Sequence, residues 1–185
     1  MNSHLTKFFL LIISFLLLSN NLMAEPKETD WLTLMPKEDQ QALNNMPELV
    51  LHNTAEAPSQ FGKIGGLKQQ DKTLPKVMYS TNTVPSLEGK RIRIGGYPVP
   101  IELNKQGKVI QLFIVPYPGA CIHVPPPPPN QIILVNYEKG IELKDIYEPI
   151  WVIGKLHIEA ISNDLADASY SMQADKVRPV EESDL

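Results

Sequence analysis

The chain has 185 residues, 43% of them hydrophobic, and a formal net charge of −4 at pH 7. This length suits a single domain, and the apolar content is sufficient for a hydrophobic core. The charge balance is acidic and the basic residues are scattered, which gives no electrostatic reason to bind nucleic acid, and we expect no nucleic-acid partner.

The first 24 residues have the three parts of a secretory signal peptide. Lys7 supplies a positive charge near the N-terminus, and residues 8–18 are almost entirely apolar. Ala24, which follows Met23, is a small residue suited to cleavage. The apolar run is shorter than the roughly 20 residues of a membrane-spanning helix. We therefore expect cleavage after Ala24 and a periplasmic mature protein, with a retained membrane anchor as the alternative. A lipid anchor is not expected, because no cysteine lies near the cleavage site.

Residues 25–83 are predicted to form an N-terminal extension. Pro36 followed by KEDQQAL suits the first turn of a short helix, with acidic residues near its start, where the helix dipole favours them. The stretch 52–73 is rich in Gly, Ser, Asn and Gln, which is typical of a long loop. The extension should therefore contain one short helix and one long loop.

From Val84 the sequence takes on a β pattern with five predicted strands. They cover 91–103, 109–117, 131–137, 150–161 and 168–180, and the fifth has Ala168, Tyr170, Met172 and Ala174 on its inner face. In the first strand the apolar residues move from even to odd positions after Gly95 and Gly96, which indicates a β-bulge there. A turn or short helix is expected at 139–149.

These elements predict an all-β domain over 84–180, followed by a frayed acidic tail at 181–185. Five strands, a sharp bend in the first and a helical element between the third and fourth suggest a small, partly open Greek-key barrel of the OB type. A β-sandwich is the alternative.

The stretch GACIHVPPPPPNQ, residues 119–131, holds the chain's only cysteine, Cys121, with His123 two positions later. The prolines that follow should form a polyproline II rod on the surface or along an edge, because they cannot donate to a β-ladder; they are Pro125, Pro126, Pro127, Pro128 and Pro129. If the chain is extended back to Cys121, the thiol and the imidazole point to the same side. Such a pair can bind zinc or copper, or it can lower the thiol pKa for redox or nucleophilic chemistry.

A zinc site needs three or four protein ligands. Glu102 is our first candidate for the third ligand, His157 is the reserve and His52 is a more distant candidate. One alternative for Cys121 is burial as a small core residue, since free cysteine is among the most buried residue types. Another is enzymatic thiol chemistry with His123 activating Cys121. The chain contains no Gly-rich phosphate loop, G-x-S-x-G, H-E-x-x-H or paired zinc knuckle.

Three stretches carry a resemblance to a known family: LEGKRIRIGGYPVPIE, QLFIVPYPGACIHVPPPPPNQIILV and PIWVIGKLHIE. Over roughly Trp31 to Val180 the chain resembles the exported bacterial family called domain of unknown function 3299, most specifically in VPY-x-GACIH-x-PPPPPNQ. The resemblance implies a small secreted β protein with no established activity. Some members are similar to products encoded beside ABC-type transporter components and zinc-responsive genes, which favours a metal. The resemblance also makes PPPPPNQ part of the site, with Asn130 and Gln131 hydrogen-bonded to the rod.

The sequence thus predicts a periplasmic, non-catalytic accessory protein that binds a transition metal, zinc or alternatively copper, through Cys121 and His123. Its expected partner is an ABC-type transporter complex at the inner membrane, to which it would deliver metal or whose assembly it would assist. The alternative from another class is an interaction module. In that alternative the proline rod and the aromatic residues Tyr97, Tyr117 and Tyr137 dock an extended partner.

Overall fold

The computed structural model describes residues 25–46, 66–69, 72–120 and 125–184. The predicted signal peptide, residues 1–24, and three candidate ligands, His52, Cys121 and His123, lie outside the described residues. Within the described ranges, no helix combines the length and the hydropathy that crossing a membrane requires.

The β pattern of the sequence produces five strands: β1 Arg91–Leu103, β2 Val109–Val115, β3 Ile133–Ile141, β4 Ile150–Ser162 and β5 Asp167–Pro179. They form a barrel in the order β1-β2-β3-β5-β4, and pairing of β4 with β1 closes it. β3 and β5 run parallel, and the other neighbouring pairs are antiparallel. The predicted all-β, five-stranded OB-like barrel is confirmed, and the sandwich alternative is not needed; the barrel is closed, however, where a partly open one was predicted. The connection from β3 to β4 is made of turns rather than a helix.

Side chains on the inner face of the strands fill the barrel with a first apolar cluster, which we call the inner cluster. It includes Ile92, Ile94, Leu112, Ile114, Ile133, Val135, Val152, Leu156, Tyr170 and Met172. Along β5 the four residues predicted for the inner face, from Ala168 to Ala174, are all buried, but only Tyr170, Met172 and Ala174 belong to the inner cluster. The period of two in side-chain direction therefore gave the correct face from Tyr170 to Ala174.

The outer face of β1, β2 and β3 carries a second apolar cluster, the outer cluster. Its buried members are Leu67, Phe113, Val115, Ala120, Ile132, Ala166 and Ala168, with Tyr97, Val99 and Ile101 packed against them. The bulge predicted at Gly95 and Gly96 is wrong, because even-numbered residues of β1 stay buried through Pro98 and the register irregularities lie between Pro100 and Leu103. The apolar residues change parity because the outer face is also covered from Tyr97 onward.

The N-terminal extension packs into the barrel. It contains a 3₁₀ turn, Trp31–Leu34, and helix α1, Lys37–Asn44, which begins directly after Pro36 as predicted. Leu34 is fully buried in the inner cluster. The Tyr170 hydroxyl donates to the carbonyl oxygen of Leu34 and accepts from the amide of Val84, each at 2.8 Å. The side chain of a core tyrosine thus ties the extension to the strands.

The C-terminal residues are docked, so the prediction of a frayed tail is wrong. Glu182–Asp184 form a 3₁₀ turn, and the Asp184 carboxylate accepts two hydrogen bonds from the guanidinium of Arg178, at 2.6 and 2.7 Å. The hydrogen bonds from Arg178 hold the pKa of Asp184 well below its usual value. A bidentate arginine–carboxylate pair is both directional and strong, and it holds the 3₁₀ turn at Glu182–Asp184 beside β5.

Candidate functional site

The segment that contains Cys121 is anchored on both of its described sides. Before it, Gly119 has a φ of 77°, a left-handed conformation that favours glycine, and Ala120 is buried in the outer cluster. After it, the carbonyl oxygen of Pro125 accepts a hydrogen bond from the Tyr117 hydroxyl at 2.8 Å. Burial raises the pKa of Tyr117, so its phenol keeps the proton that it donates. The loop from 117 to 125 is therefore closed by a hydrogen bond between its ends.

The proline run does not lie on the surface. Pro125 to Pro128 are buried, which corrects the prediction of a rod on the surface or along an edge. Proline has no amide hydrogen, so burial leaves only carbonyl oxygens to be satisfied. The amides of Gln131 and Ile132 donate to the carbonyl oxygens of Pro128 and Pro129, at 2.8 and 3.3 Å. Because the run is buried, it offers little surface to the docking partner of the interaction-module alternative.

Asn130 and Gln131 bind the N-terminal extension through their side chains rather than bracing the rod. The Gln131 amide group donates to the carbonyl oxygen of Trp31 at 2.8 Å. The Asn130 Nδ2 donates to the Asp39 carboxylate at 3.0 Å and to the carbonyl oxygen of Asn82 at 2.9 Å. Asn130 is fully buried. Sequence reasoning missed these contacts, because the partners are up to 100 residues apart and no local pattern links them.

The Asp39 carboxylate is the centre of this buried network. It also accepts hydrogen bonds from the Ser80 hydroxyl at 2.5 Å and from Asn82 Nδ2 at 3.2 Å. A buried carboxylate is tolerated when hydrogen bonds replace its hydration, and here three side chains supply them. The network joins α1, the segment before β1 and the end of the proline run, and so fixes the C-terminal side of the Cys121 segment.

The two proposed third ligands lie at different ends of the barrel. Glu102 is exposed near the end of β1. It lies about 17 Å along the strand from Tyr97, and Tyr97 pairs with Val115, the last residue of β2. His157 pairs with Ser171 across β4 and β5, near the end at which β3 begins. Its Nδ1 lies 2.8 Å from the Glu88 carboxylate. The structure therefore does not bring Glu102 and His157 together, and His157 already has an acidic neighbour.

No three His, Cys, Asp or Glu side chains of residues 25–46, 66–69, 72–120 and 125–184 form a group that could hold a metal ion. Cys121, His123 and His52 lie outside these ranges, so their role as ligands stays a prediction. A Cys-x-His pair between two anchored ends has the ligand chemistry for a borderline metal such as zinc.

The barrel end at which β4 finishes carries a groove of about 350 Å³ that the sequence did not indicate. Thr81 and Thr83 line one side of it, Ile158, residues 160–162 and residues 167–169 line the other, and Pro129 also contributes. Ser169 Oγ donates to the carbonyl oxygen of Thr81 across 88 residues of sequence. The groove is thus formed by segments that only the folded barrel brings together.

Comparison with models of known protein families shows which family this chain matches. Residues 31–179 match the model of a family described as a protein of unknown function, DUF3299. The chain belongs to the DUF3299 family. The matched range begins at Trp31, so it includes the part of the extension that enters the inner cluster.

A crystal structure of a DUF3299 family protein from Pseudomonas aeruginosa PAO1 is similar to this chain, with 38% sequence identity and a TM-score of 0.64. The similarity covers 85% of this chain and 98% of the Pseudomonas chain. No curated protein matches the chain to a significant degree. Membership of DUF3299 therefore establishes the family and the fold of this chain, and any activity has to be argued from its own residues.

Proposed function

We propose that this DUF3299 protein is a periplasmic accessory protein that binds zinc through Cys121 and His123 and serves a membrane transporter. The observation that carries the proposal is the loop closure around the Cys-x-His pair. The Tyr117 hydroxyl bonds to the Pro125 carbonyl oxygen, four residues beyond the cysteine, and Ala120 is buried directly before it. The chain has one cysteine, so no second cysteine of the same chain competes for this thiol by forming a disulfide.

Anchoring favours metal binding because it reduces the entropy that the ligands lose when the ion binds. Fixing one residue's backbone costs about 1–2 kcal/mol, and four residues separate Ala120 from Pro125. The buried proline run adds stiffness on one side, since the ring fixes φ of each proline. The hydrogen bonds of Asn130 to Asp39 and Asn82 hold the far end of that run.

The remaining positions around the zinc ion are proposed to be filled by water or by a group of the transporter. Glu102 lies at the other end of the barrel, which argues against it as the third ligand. His157 stays the reserve, through Nε2, because its Nδ1 faces Glu88. A site with two protein ligands and exchangeable positions suits the transfer of an ion, since a structural zinc has four protein ligands.

The test is the zinc content and zinc affinity of the mature chain, purified without a metal-binding tag. Elemental analysis and zinc titration would compare the wild type with the double variant Cys121→Ser/His123→Ala. Glu102→Gln is the matched control, and His157→Ala tests the reserve ligand. We expect near-stoichiometric zinc in the wild type and in Glu102→Gln, and loss of binding in the double variant with the fold intact by circular dichroism. Wild-type zinc affinity in the folded double variant would refute the proposal.

A further inference from the structure

The groove at the end of β4 is bordered by an open strand edge. β1 pairs with β4 from Ile150 to Lys155, and Leu156 still exchanges backbone hydrogen bonds with the chain that leads into β1. Beyond Leu156, no described strand lies beside β4 on the side away from β5. An uncovered strand edge presents backbone N–H and C=O groups to an incoming strand.

One acceptor from outside the sheet already bonds to this edge. The Ile158 amide donates to Oε2 of Glu88 at 2.6 Å, and Glu88 is not part of any strand. This hydrogen bond holds the pKa of Glu88 below its usual value, with a smaller contribution from His157. The backbone amide of Ile158 therefore points toward the open side of β4. Further along β4, a carbonyl oxygen of a bound peptide would take the place that the Glu88 carboxylate has at Ile158.

The walls of the groove suit an extended peptide. Thr81, Thr83, Ser162 and Ser169 contribute hydroxyl groups, whereas Ile158, Ala160, Ile161 and Ala168 contribute apolar surface. The open stretch beyond Ile158, residues 159–162, is about 10 Å long, enough to pair with three or four residues of a strand. The β4–β5 register is irregular between Ile158 and Ile161. The volume of the groove, about 350 Å³, is near the lower end for ligand sites, which fits a segment of main chain with small side chains.

The charge around the β4–β5 hairpin is acidic. Glu159 and Asp164 are exposed, and Asp167 lines the groove with 44% of its side chain accessible. Among the described residues, Lys68 is the cation next to these carboxylates, and its Nζ lies 3.6 Å from the Asp167 carboxylate. The local charge is therefore negative, which favours a basic partner segment and disfavours an acidic one.

We propose that this groove binds an extended, basic peptide segment of a partner protein. The segment adds as a strand to the edge of β4 beyond Ile158, at residues 159–162. It places a lysine or arginine beside Asp167, whose Oδ1 already accepts a hydrogen bond from the Ser162 hydroxyl at 2.6 Å. Main-chain hydrogen bonds to the edge supply affinity, and the acidic hairpin supplies the preference for a basic sequence. This function is independent of the proposed zinc site and does not use Cys121 or His123.

The test uses the full mature chain and three fluorescein-labelled heptapeptides with capped ends. The first alternates lysine and valine, the second has glutamate for each lysine, and the third is the lysine peptide with every second amide N-methylated to block strand pairing. Fluorescence anisotropy gives the dissociation constants, and amide chemical shifts in the ¹⁵N-labelled protein locate the binding. We expect at least tenfold weaker binding for the second and third peptides, and shift changes centred on 158–162.

Two variants sharpen the test. Ala160→Trp fills the groove and should weaken binding of the lysine peptide at least tenfold. Asp167→Asn should weaken it about three- to fivefold at low salt, since an exposed ion pair is worth up to about 1 kcal/mol. Asp145→Asn, in the β3–β4 connection, is the matched control and should leave the affinity unchanged.

Several results would overturn the proposal. Equal affinity for the lysine peptide and its N-methylated form would mean that charge attraction alone holds the peptide. Shift changes away from β4, or no saturable binding of the lysine peptide at 1 mM, would exclude the groove as its site. A concentration-dependent dimer that uses the same edge, with no peptide binding, would assign the edge to a second copy of this chain.

Discussion

Replacing Asn130 by alanine tests whether the buried network holds the extension and the proline run together. Asn130 is fully buried, and its Nδ2 donates to the Asp39 carboxylate and to the carbonyl oxygen of Asn82. A hydrogen bond to a charged group is worth about 1.5–3 kcal/mol and a neutral one about 0.5–1.5 kcal/mol. We therefore expect Asn130→Ala to lower the free energy of unfolding by about 2–4 kcal/mol, because both acceptors are left without this donor.

Urea unfolding followed by circular dichroism and tryptophan fluorescence would measure the loss, as a shift of the midpoint at unchanged m-value. Asn136→Ala is the matched control: Asn136 accepts a single neutral hydrogen bond from Gln111, so its loss should cost about 1 kcal/mol. A double-mutant cycle with Asp39→Ala should give a coupling energy of at least about 1 kcal/mol. A loss below about 0.5 kcal/mol for Asn130→Ala, or zero coupling to Asp39, would refute the network's role.

Three further predictions concern positions elsewhere in the barrel. Gly96→Ala should destabilise the protein by about 1–3 kcal/mol in urea unfolding, because the added Cβ would come within 2.9 Å of an indole carbon and a backbone carbonyl oxygen; a neutral effect would contradict this close packing. Tyr117→Phe should cost about 1 kcal/mol and weaken zinc binding in the titration, because the loop loses its closing hydrogen bond; unchanged zinc affinity would separate the closure from the site. Arg178→Gln should lower the melting temperature above about pH 4, and the effect should shrink steadily as pH falls below that value: Arg178 depresses the folded pKa of Asp184 from its usual 3.8, so its stabilisation is fully present above that value and is lost as pH falls through the folded pKa. A wild-type advantage that persisted unchanged to pH 2 would show that the ion pair is not its source.

The sequence predicted the parts of the fold that depend on local periodicity. β5 alternates Tyr170, Met172 and Ala174 toward the interior, and a period of two fixes that face wherever the strand pairs. The failures concern contacts between distant segments. The parity change after Gly96 looked like a bulge because a single sequence does not show that the outer face of β1 is also buried.

The proline run shows why the candidate site was only partly predictable. Five consecutive prolines exclude an α-helix and a central strand, and that part of the prediction is correct. Whether such a rod is exposed depends on what covers it and on whether its carbonyl oxygens find donors. Here Tyr117 and the amides of Gln131 and Ile132 supply donors, and the side chains of Asn130 and Gln131 turn to the extension instead.

The extension is a structural part of the barrel, and this bears on every experiment proposed above. Leu34 is fully buried among the inner-cluster residues, and the Trp31 indole donates to the carbonyl oxygen of Gly95 at 2.6 Å. Gly96 has no side chain, which allows the Trp31 ring to approach the strand. Burial of a leucine side chain is worth roughly 1.5–3 kcal/mol, a large share of the stability of a small domain. A fragment that begins at Val84 would lose Leu34, whose carbonyl oxygen accepts from Tyr170, and it would also lose the partners of Asn130, so both proposals have to be tested on the chain from Glu25 onward.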